Sequence, residues 1–369
     1  MAQTASNLVW YITTSSTTSQ TGAYTINVDG SAAATNATDV NSSPSASYLQ
    51  LQGLAIDPSA GHYFVTNVAL GGPYGNSAQI IEGNTNGSGT PSVIYTSGNG
   101  GGDAIEGLAF DQQTGLLYFA VTDVNVPSPN TDTGIYTINA LGTGTQTATR
   151  LVNLSSAANS PTDIAIDTTN NLLFYTNGYP GLSNVEEIGV ANLTTGAVIN
   201  GDLVSYSSSG DVEPYGIAVD PATDTLYWTT VNFSADSGNT IYSATYSTGS
   251  SITLSGTQTL ATTSLSQVPV GIALDVPAGG YYVDTSTGVS NDTTPNEILF
   301  GSSLTSAEAL TDVYNVPDQD GGTETLPTDA IVVEVQPVVA ASGTVTFVEG
   351  GSAVETDSGA TVADADGYY

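Results

Sequence analysis

The residues able to do chemistry are almost all acids. Asp103, Glu106, Asp163, Glu213 and Asp329 stand just before or at the start of short apolar runs. Gathered together, such carboxylates could form a calcium or ligand site through hard oxygen donors; scattered, they are loop acids and turn caps. Asp318-x-Asp320-Gly-Gly and Asp364-x-Asp366-Gly each set two carboxylates two apart beside glycine. That spacing can coordinate calcium, although neither continues into a full loop with a ligand at position 12. A further set, Asp57, Asp111, Asp167, Asp220 and Asp275, ends the same apolar runs and reads as turn-fixing. His62 is the single histidine and Arg150 the single basic side chain. His62 reads as an exposed strand start. Arg150 and the amino terminus are left as the cationic partners for any salt bridge.

These absences exclude much. The 369 residues carry a net charge of −34, with no lysine and no cysteine. The 35 acids are ordinary usage; what is missing is base. Nucleic-acid binding needs a positive footprint, and an anionic membrane would repel this surface. Without lysine there is no Schiff base and no P-loop. One histidine and no thiolate cannot build a His- or Cys-based zinc site, so calcium is the metal the donors suit and no other cofactor is expected. A Ser-His-Asp triad would have to use His62, and no GxSxG elbow accompanies it. No apolar run reaches 18 residues, and MAQTASNLVWYITT lacks the basic start of a signal peptide.

A repeat must position these residues. GLAID (53–57), GLAFD (107–111), DIAID (163–167), GIAVD (216–220) and GIALD (271–275) recur at spacings of 54, 56, 53 and 55, and DAIVV (329–333) follows after 58. Each reads as a buried strand. After a turn of Asp, Pro, Asn and Gly comes an aromatic second strand: HYFVTN, LLYFAVTD, LLFYTN, LYWTTVN, YYVDTST. Third and weaker fourth strands complete each unit. Four antiparallel strands per repeat, with no helical period, is the pattern of a propeller blade. In a propeller the first strand lines the axis, so the five acids of the opening would ring one mouth of the channel.

The ends complement each other. LVWYITT (8–14) and GAYTINVDG (22–30) look like second and third strands with no first strand before them. PTDAIVV (327–333) is a first strand with no second, and it matches PTDIAID (161–167). The expectation is an all-β, six-bladed propeller over residues 1–335, closed by strand 327–335 pairing with the N-terminal blade. The stretch PYGIAVDPATDTLYWT (214–229) resembles the YWTD propeller repeat of lipoprotein-receptor ectodomains and the related NHL repeat. The resemblance covers roughly residues 7–335 and implies the fold, while these repeats exceed the usual propeller length of roughly 40–45 residues.

Residues 336–369 change pattern. The segment TVTFVEGG…ADADG resembles the opening strands of cadherin-like and VCBS-type β-sandwich repeats of large bacterial surface proteins. It implies a partial Ig-like sandwich, and 34 residues cannot bury a core alone. The functional expectation is a non-enzymatic extracellular or cell-surface structural and adhesive protein. It would be a fibre subunit or adhesin module that joins other copies of itself by β-strand addition, without nucleic acid or membrane insertion. Two alternatives stand beside it: a calcium-dependent propeller hydrolase or lactonase, needing acids and amides convergent at one channel mouth, and a glycan- or ligand-binding propeller.

Overall fold

Alternating apolar runs cut by Asp, Pro, Asn and Gly fold as antiparallel strands, and the computed structural model of the chain is all-β. It describes residues 8–13, 22–27, 35–39, 50–68, 78–97, 103–123, 132–155, 159–178, 186–206, 212–235, 237–286, 297–315, 331–334, 338–340 and 361–363. No helix is long and apolar enough to cross a membrane among them.

The chain opens with β1 (Leu8–Thr13), β2 (Gly22–Asn27) and β3 (Thr35–Asp39). Five four-stranded blades follow as uninterrupted stretches. Blade 1 is β4 (Gln50–Asp57), β5 (His62–Val68), β6 (Ala78–Asn84) and β7 (Ser92–Thr96). Blade 2 is β8 (Asp103–Asp111), β9 (Leu116–Asp123), β10 (Gly134–Asn139) and β11 (Thr149–Asn153). Blade 3 is β12 (Pro161–Asp167), β13 (Leu172–Asn177), β14 (Glu186–Asn192) and β15 (Val198–Tyr206). Blade 4 is β16 (Glu213–Asp220), β17 (Thr225–Val231), β18 (Thr240–Tyr246) and β19 (Leu254–Thr262). Blade 5 is β20 (Val268–Asp275), β21 (Gly280–Ser286), β22 (Glu297–Gly301) and β23 (Thr311–Asn315).

Counted as continuous units, the propeller has five blades rather than the six expected. The remaining four-stranded sheet is a composite of both chain ends. In it β24 (Ile331–Glu334) pairs antiparallel with β1, Leu8 opposite Glu334 and Tyr11 opposite Ile331, in the order β24-β1-β2-β3. β24 also lies beside β4 on one side and β20 on the other, so this sheet stands between blades 5 and 1. The physical reason is the sequence order: the N-terminal strands have no innermost strand before them, and only the far end of the chain can supply one. Finally β25 (Val338–Ala340) and β26 (Thr361–Ala363) form a separate two-stranded sheet. The segment TVTFVEGG (344–351) of the expected sandwich lies outside the described residues.

Each blade turns identically between its first two strands. The left-handed fifth position of the turn is Gly61, Gly115, Asn171, Asp224 or Gly279, with φ between 51° and 72°. Glycine, asparagine and aspartate are the residues that tolerate this region. The core lies in seams between blades. Phe64, Ile80 and Ile94 of blade 1 meet Ile105, Leu117 and Phe119 of blade 2. Phe174 and Val190 of blade 3 meet Leu226 and Trp228 of blade 4.

Candidate functional site

The innermost strands β4, β8, β12, β16 and β20 bring the candidate acids toward the axis, and each strand is irregular at one place. The register breaks between Leu51 and Leu54, Ile105 and Leu108, Pro161 and Ile164, Pro214 and Ile217, and Pro269 and Gly271. A bulge removes backbone groups from the ladder, and a buried N–H must then find another acceptor. The second strand provides it. Thr66 Oγ1 accepts from Gly53 N–H at 2.6 Å, Thr176 Oγ1 from Asp163 N–H at 3.0 Å, and Thr229 Oγ1 from Gly216 N–H at 2.8 Å. Thr176 Oγ1 also donates across the seam to Tyr215 O of blade 4 at 2.7 Å. The threonine of the aromatic-Thr repeat is therefore a seam connector. Blade 2 has Ala120 at that register. Its link to blade 3 runs two residues on, from Thr122 Oγ1 to Pro161 O at 3.0 Å.

At the bulge neighbouring inner strands nearly touch. A Cβ on Gly53 would lie 2.4 Å from Glu106 O, and one on Gly216 would lie 2.6 Å from Val270 O. Gly53, Gly107, Gly216 and Gly271 hold this place in four blades; Asp163 holds it in blade 3. Its Oδ1 sits where a Gly107 Cβ would meet it at 2.2 Å. Asp163 Oδ1 accepts from Ile164 N–H at 2.8 Å, and Oδ2 from Ile217 N–H of blade 4 at 2.9 Å. Asp163 thus joins blades 3 and 4 at the axis through its carboxylate.

Glu106 precedes Gly107 and is 3% exposed. Its Oε1 is buried with no hydrogen-bond partner among the described residues. Burial, reinforced by the Asp163 carboxylate, pushes Glu106 up to about 8. Burial also raises Asp163, to about 7, against the lowering effect of its two backbone donors. Gln52 holds the register of Glu106 in blade 1; it is 5% exposed, and its Oε1 likewise has no described partner.

The structure brings Glu106 and Asp163 together. Asp103, buried at the start of β8, acts on the Tyr95 hydroxyl, which burial and Asp103 push up to about 12. Glu213 is half-buried at the start of β16. Asp329, Asp318, Asp320, Asp364 and Asp366 lie outside the described residues. Among the described residues no three His, Asp or Glu side chains gather closely enough to hold a metal ion.

The acids that end the inner strands fix turns. Asp57 Oδ1 accepts from Ser59 N–H and Ala60 N–H, Asp111 Oδ1 from Gln113 N–H, and Asp220 Oδ1 from Ala222 N–H. Asp167 reaches further, its Oδ2 accepting from the Tyr246 hydroxyl of blade 4 at 2.7 Å. His62 departs from the exposed strand start expected of it. Its Nδ1 lies 2.8 Å from Glu82 Oε1, with both side chains partly buried. Sequence reasoning missed this pair because the residues lie twenty apart and meet only through the β5–β6 register, on a diagonal two positions out of line. Arg150, the second residue of β11, hydrogen-bonds the Tyr136 hydroxyl, which itself donates to Asp132 O at 2.7 Å.

This architecture defines an all-β propeller, and known proteins share it. A chain of a nidogen/laminin complex superposes with a TM-score of 0.56 at 13% identity, covering 89% of this chain and 98% of that one. An oxidoreductase (glucose dehydrogenase) from Thermus thermophilus gives 0.54 at 14% identity, over 76% and 93% of the two chains. In sequence, protein cueball of Drosophila grimshawi is 30% identical over 140 residues, 38% of this chain. The chain spans 20% of cueball's length. No family model matches the chain.

Proposed function

We propose that this protein is a non-enzymatic extracellular or cell-surface structural protein, a fibre subunit or adhesin module that joins copies of itself by β-strand addition. The observation that carries the reading is the sheet of β25 and β26. Among the described residues, its strands pair only with each other. A two-stranded sheet is marginal in water and gains stability from a third strand or a packed face. A neighbouring copy can supply both. The propeller's polar groups favour a scaffold role. Asp57, Asp111, Asp163 and Asp220 and the seam threonines are engaged with backbone. Calcium enters this reading as a counter-ion for the −34 charge, with Asp364 and Asp366, directly after β26, and Asp318 and Asp320 as candidate ligands.

Light scattering on the full chain and on a chain ending at residue 335 tests the reading. The full chain should form concentration-dependent oligomers, more so with calcium, and the shortened chain should be a folded monomer. A full chain that stays monomeric with and without calcium overturns self-assembly.

A further inference from the structure

Arg150 is the one lysine or arginine of the chain, and the fold places it at a break in a sheet. A protease whose specificity pocket carries a carboxylate cuts after basic residues. To such an enzyme the whole chain offers one bond, Arg150–Leu151. That bond lies in β11, the outermost strand of blade 2. An outermost strand has one hydrogen-bonded neighbour and opens more readily than an inner one. The register also shifts here. Ile135 faces Val152 and Tyr136 faces Arg150, so Leu151 is the extra residue of a bulge. A bulge leaves its extra residue outside the ladder. The bond is therefore held weakly by its own sheet.

What shuts it comes from elsewhere. Arg150 is exposed, yet its side chain lies along β10. A Cβ on Gly134 would stand 3.3 Å from Arg150 Cδ, and the guanidinium hydrogen-bonds the Tyr136 hydroxyl. The Leu151 carbonyl lies against the β14–β15 turn of blade 3. A Cβ on Gly196 would overlap Leu151 O, so glycine is what lets the turn close on this peptide. Gly196 also has a φ of 67°, where a β-carbon is strained. The turn is braced from within. Asn192 Oδ1 accepts from Thr194 N–H at 3.1 Å and Thr195 N–H at 2.8 Å, and Gly196 N–H donates to Asn192 O at 2.9 Å. Beyond the bond, Val152 and Leu154 pack with Leu173, Ala191 and Leu193 of blade 3.

We propose that Arg150–Leu151 is a guarded processing site: a protease specific for basic residues hydrolyses it when the blade 3 turn lifts, and the cut leaves the ring assembled. Water is the co-reactant. The C–N bond between Arg150 and Leu151 breaks, the Arg150 carbonyl carbon takes the hydroxyl, and the Leu151 nitrogen takes the proton. The pieces are residues 1–150 and 151–369. The first keeps β1 to β10; the second keeps blades 3 to 5 and β24. They stay joined at two places. β24 pairs with β1 in the composite sheet. On the other side, Thr122 Oγ1 of the first piece donates to Pro161 O of the second. A ring closed by strand pairing parts only when both junctions open together. This holds whether or not copies of the chain join through β25 and β26.

Trypsin is the probe, on the full chain in buffer and in unfolding urea. Wild type should be cut into the two pieces in urea and about a hundredfold more slowly in buffer, since cleavage tracks the population of the open form. Arg150→Gln should stay whole in both. Gly196→Ala, which lifts the turn, should be cut in buffer about tenfold faster than wild type. Tyr136→Phe frees the guanidinium without touching the turn and should give about threefold. Chymotrypsin, which cuts at the many aromatic residues, separates local opening from general loosening, and its rate on either variant should rise by about twofold at most. Cut protein should run on gel filtration with the intact chain and divide only in urea. The proposal fails if wild type in buffer is cut as fast as in urea, or if neither variant is cut faster than wild type. It fails equally if chymotrypsin gains as much as trypsin, or if the pieces part in buffer.

Discussion

The seam between blades 2 and 3 and the seam between blades 4 and 5 are built on the same backbone and filled in opposite ways. Both have a bulged inner strand meeting its neighbour within contact distance. In the 4–5 seam the bulge register is apolar: Tyr215, Val268 and Val270, with Val231 behind them and Phe233 edge-on to Tyr215 at 6.4 Å. In the 2–3 seam the same register is Glu106 against Thr162 and Asp163, with Ala120 where blade 4 has Thr229. The first seam gains from area removed from water. The second is joined by the Thr122 hydroxyl donating to Pro161 O, at the cost of dehydrating two carboxyls. Propeller geometry thus fixes where a side chain points and leaves its chemistry to the individual blade. A single blade pair can therefore differ in pH response from the rest of the ring.

The largest effect expected from separating the two seams is at Tyr215. Tyr215→Ala empties the centre of the apolar cluster and should cost about 3–4 kcal/mol, read as a lower urea midpoint with unchanged slope. Asp163→Ala comes next. It strips the acceptor from Ile164 and Ile217 N–H, but it also relieves the dehydration of a carboxyl that burial raises to about 7. The net loss should be about 2 kcal/mol near pH 6. Asp163→Asn, keeping one acceptor oxygen, should lose about half of that. If Asp163→Ala is neutral, the carboxylate does not join blades 3 and 4.

Much of this was legible in the chain, for physical reasons. The period of five G/D-x-A-x-D runs follows from a turn that needs a capping Asp and a left-handed fifth residue, so the pattern recurs wherever the turn does. The unmatched strands at the two ends pointed to a composite sheet, although the continuous blades number five. The Glu106–Asp163 pair was visible only as two acids among five. Position along the chain locates a carboxylate near the axis but cannot say which register it takes relative to a bulge. A one-residue step separates Glu106, facing the seam, from Gly107, which carries no side chain at all. The role of the seam threonines was equally hidden, since Thr176 reaches a carbonyl 39 residues away. His62 and Glu82 escaped for the same reason: their meeting depends on cross-strand register.

The smallest effect should come from Thr122, and it tests whether blade 2 compensates for Ala120. Thr122 is fully buried, and its hydroxyl donates one bond across the seam to Pro161 O. Thr176, its counterpart in blade 3, donates to Tyr215 O and accepts from Asp163 N–H. Replacing either hydroxyl with the isosteric methyl of valine keeps volume and packing and deletes only polar contacts. Thr122→Val leaves one carbonyl short of a donor and should cost about 1 kcal/mol. Thr176→Val also strands a buried N–H and should cost about twice that, since an unmet donor carries its full dehydration penalty. Urea unfolding of the two variants and their double mutant gives the ratio and the coupling. The two hydroxyls serve different seams, so their effects should add to within about 0.5 kcal/mol. Equal costs would mean that the N–H freed by the blade 3 bulge gains little from Thr176. A strong coupling would mean that seams 2–3 and 3–4 respond as one unit. In that case the contrast between polar and apolar seams would belong to the whole ring, not to single blade pairs.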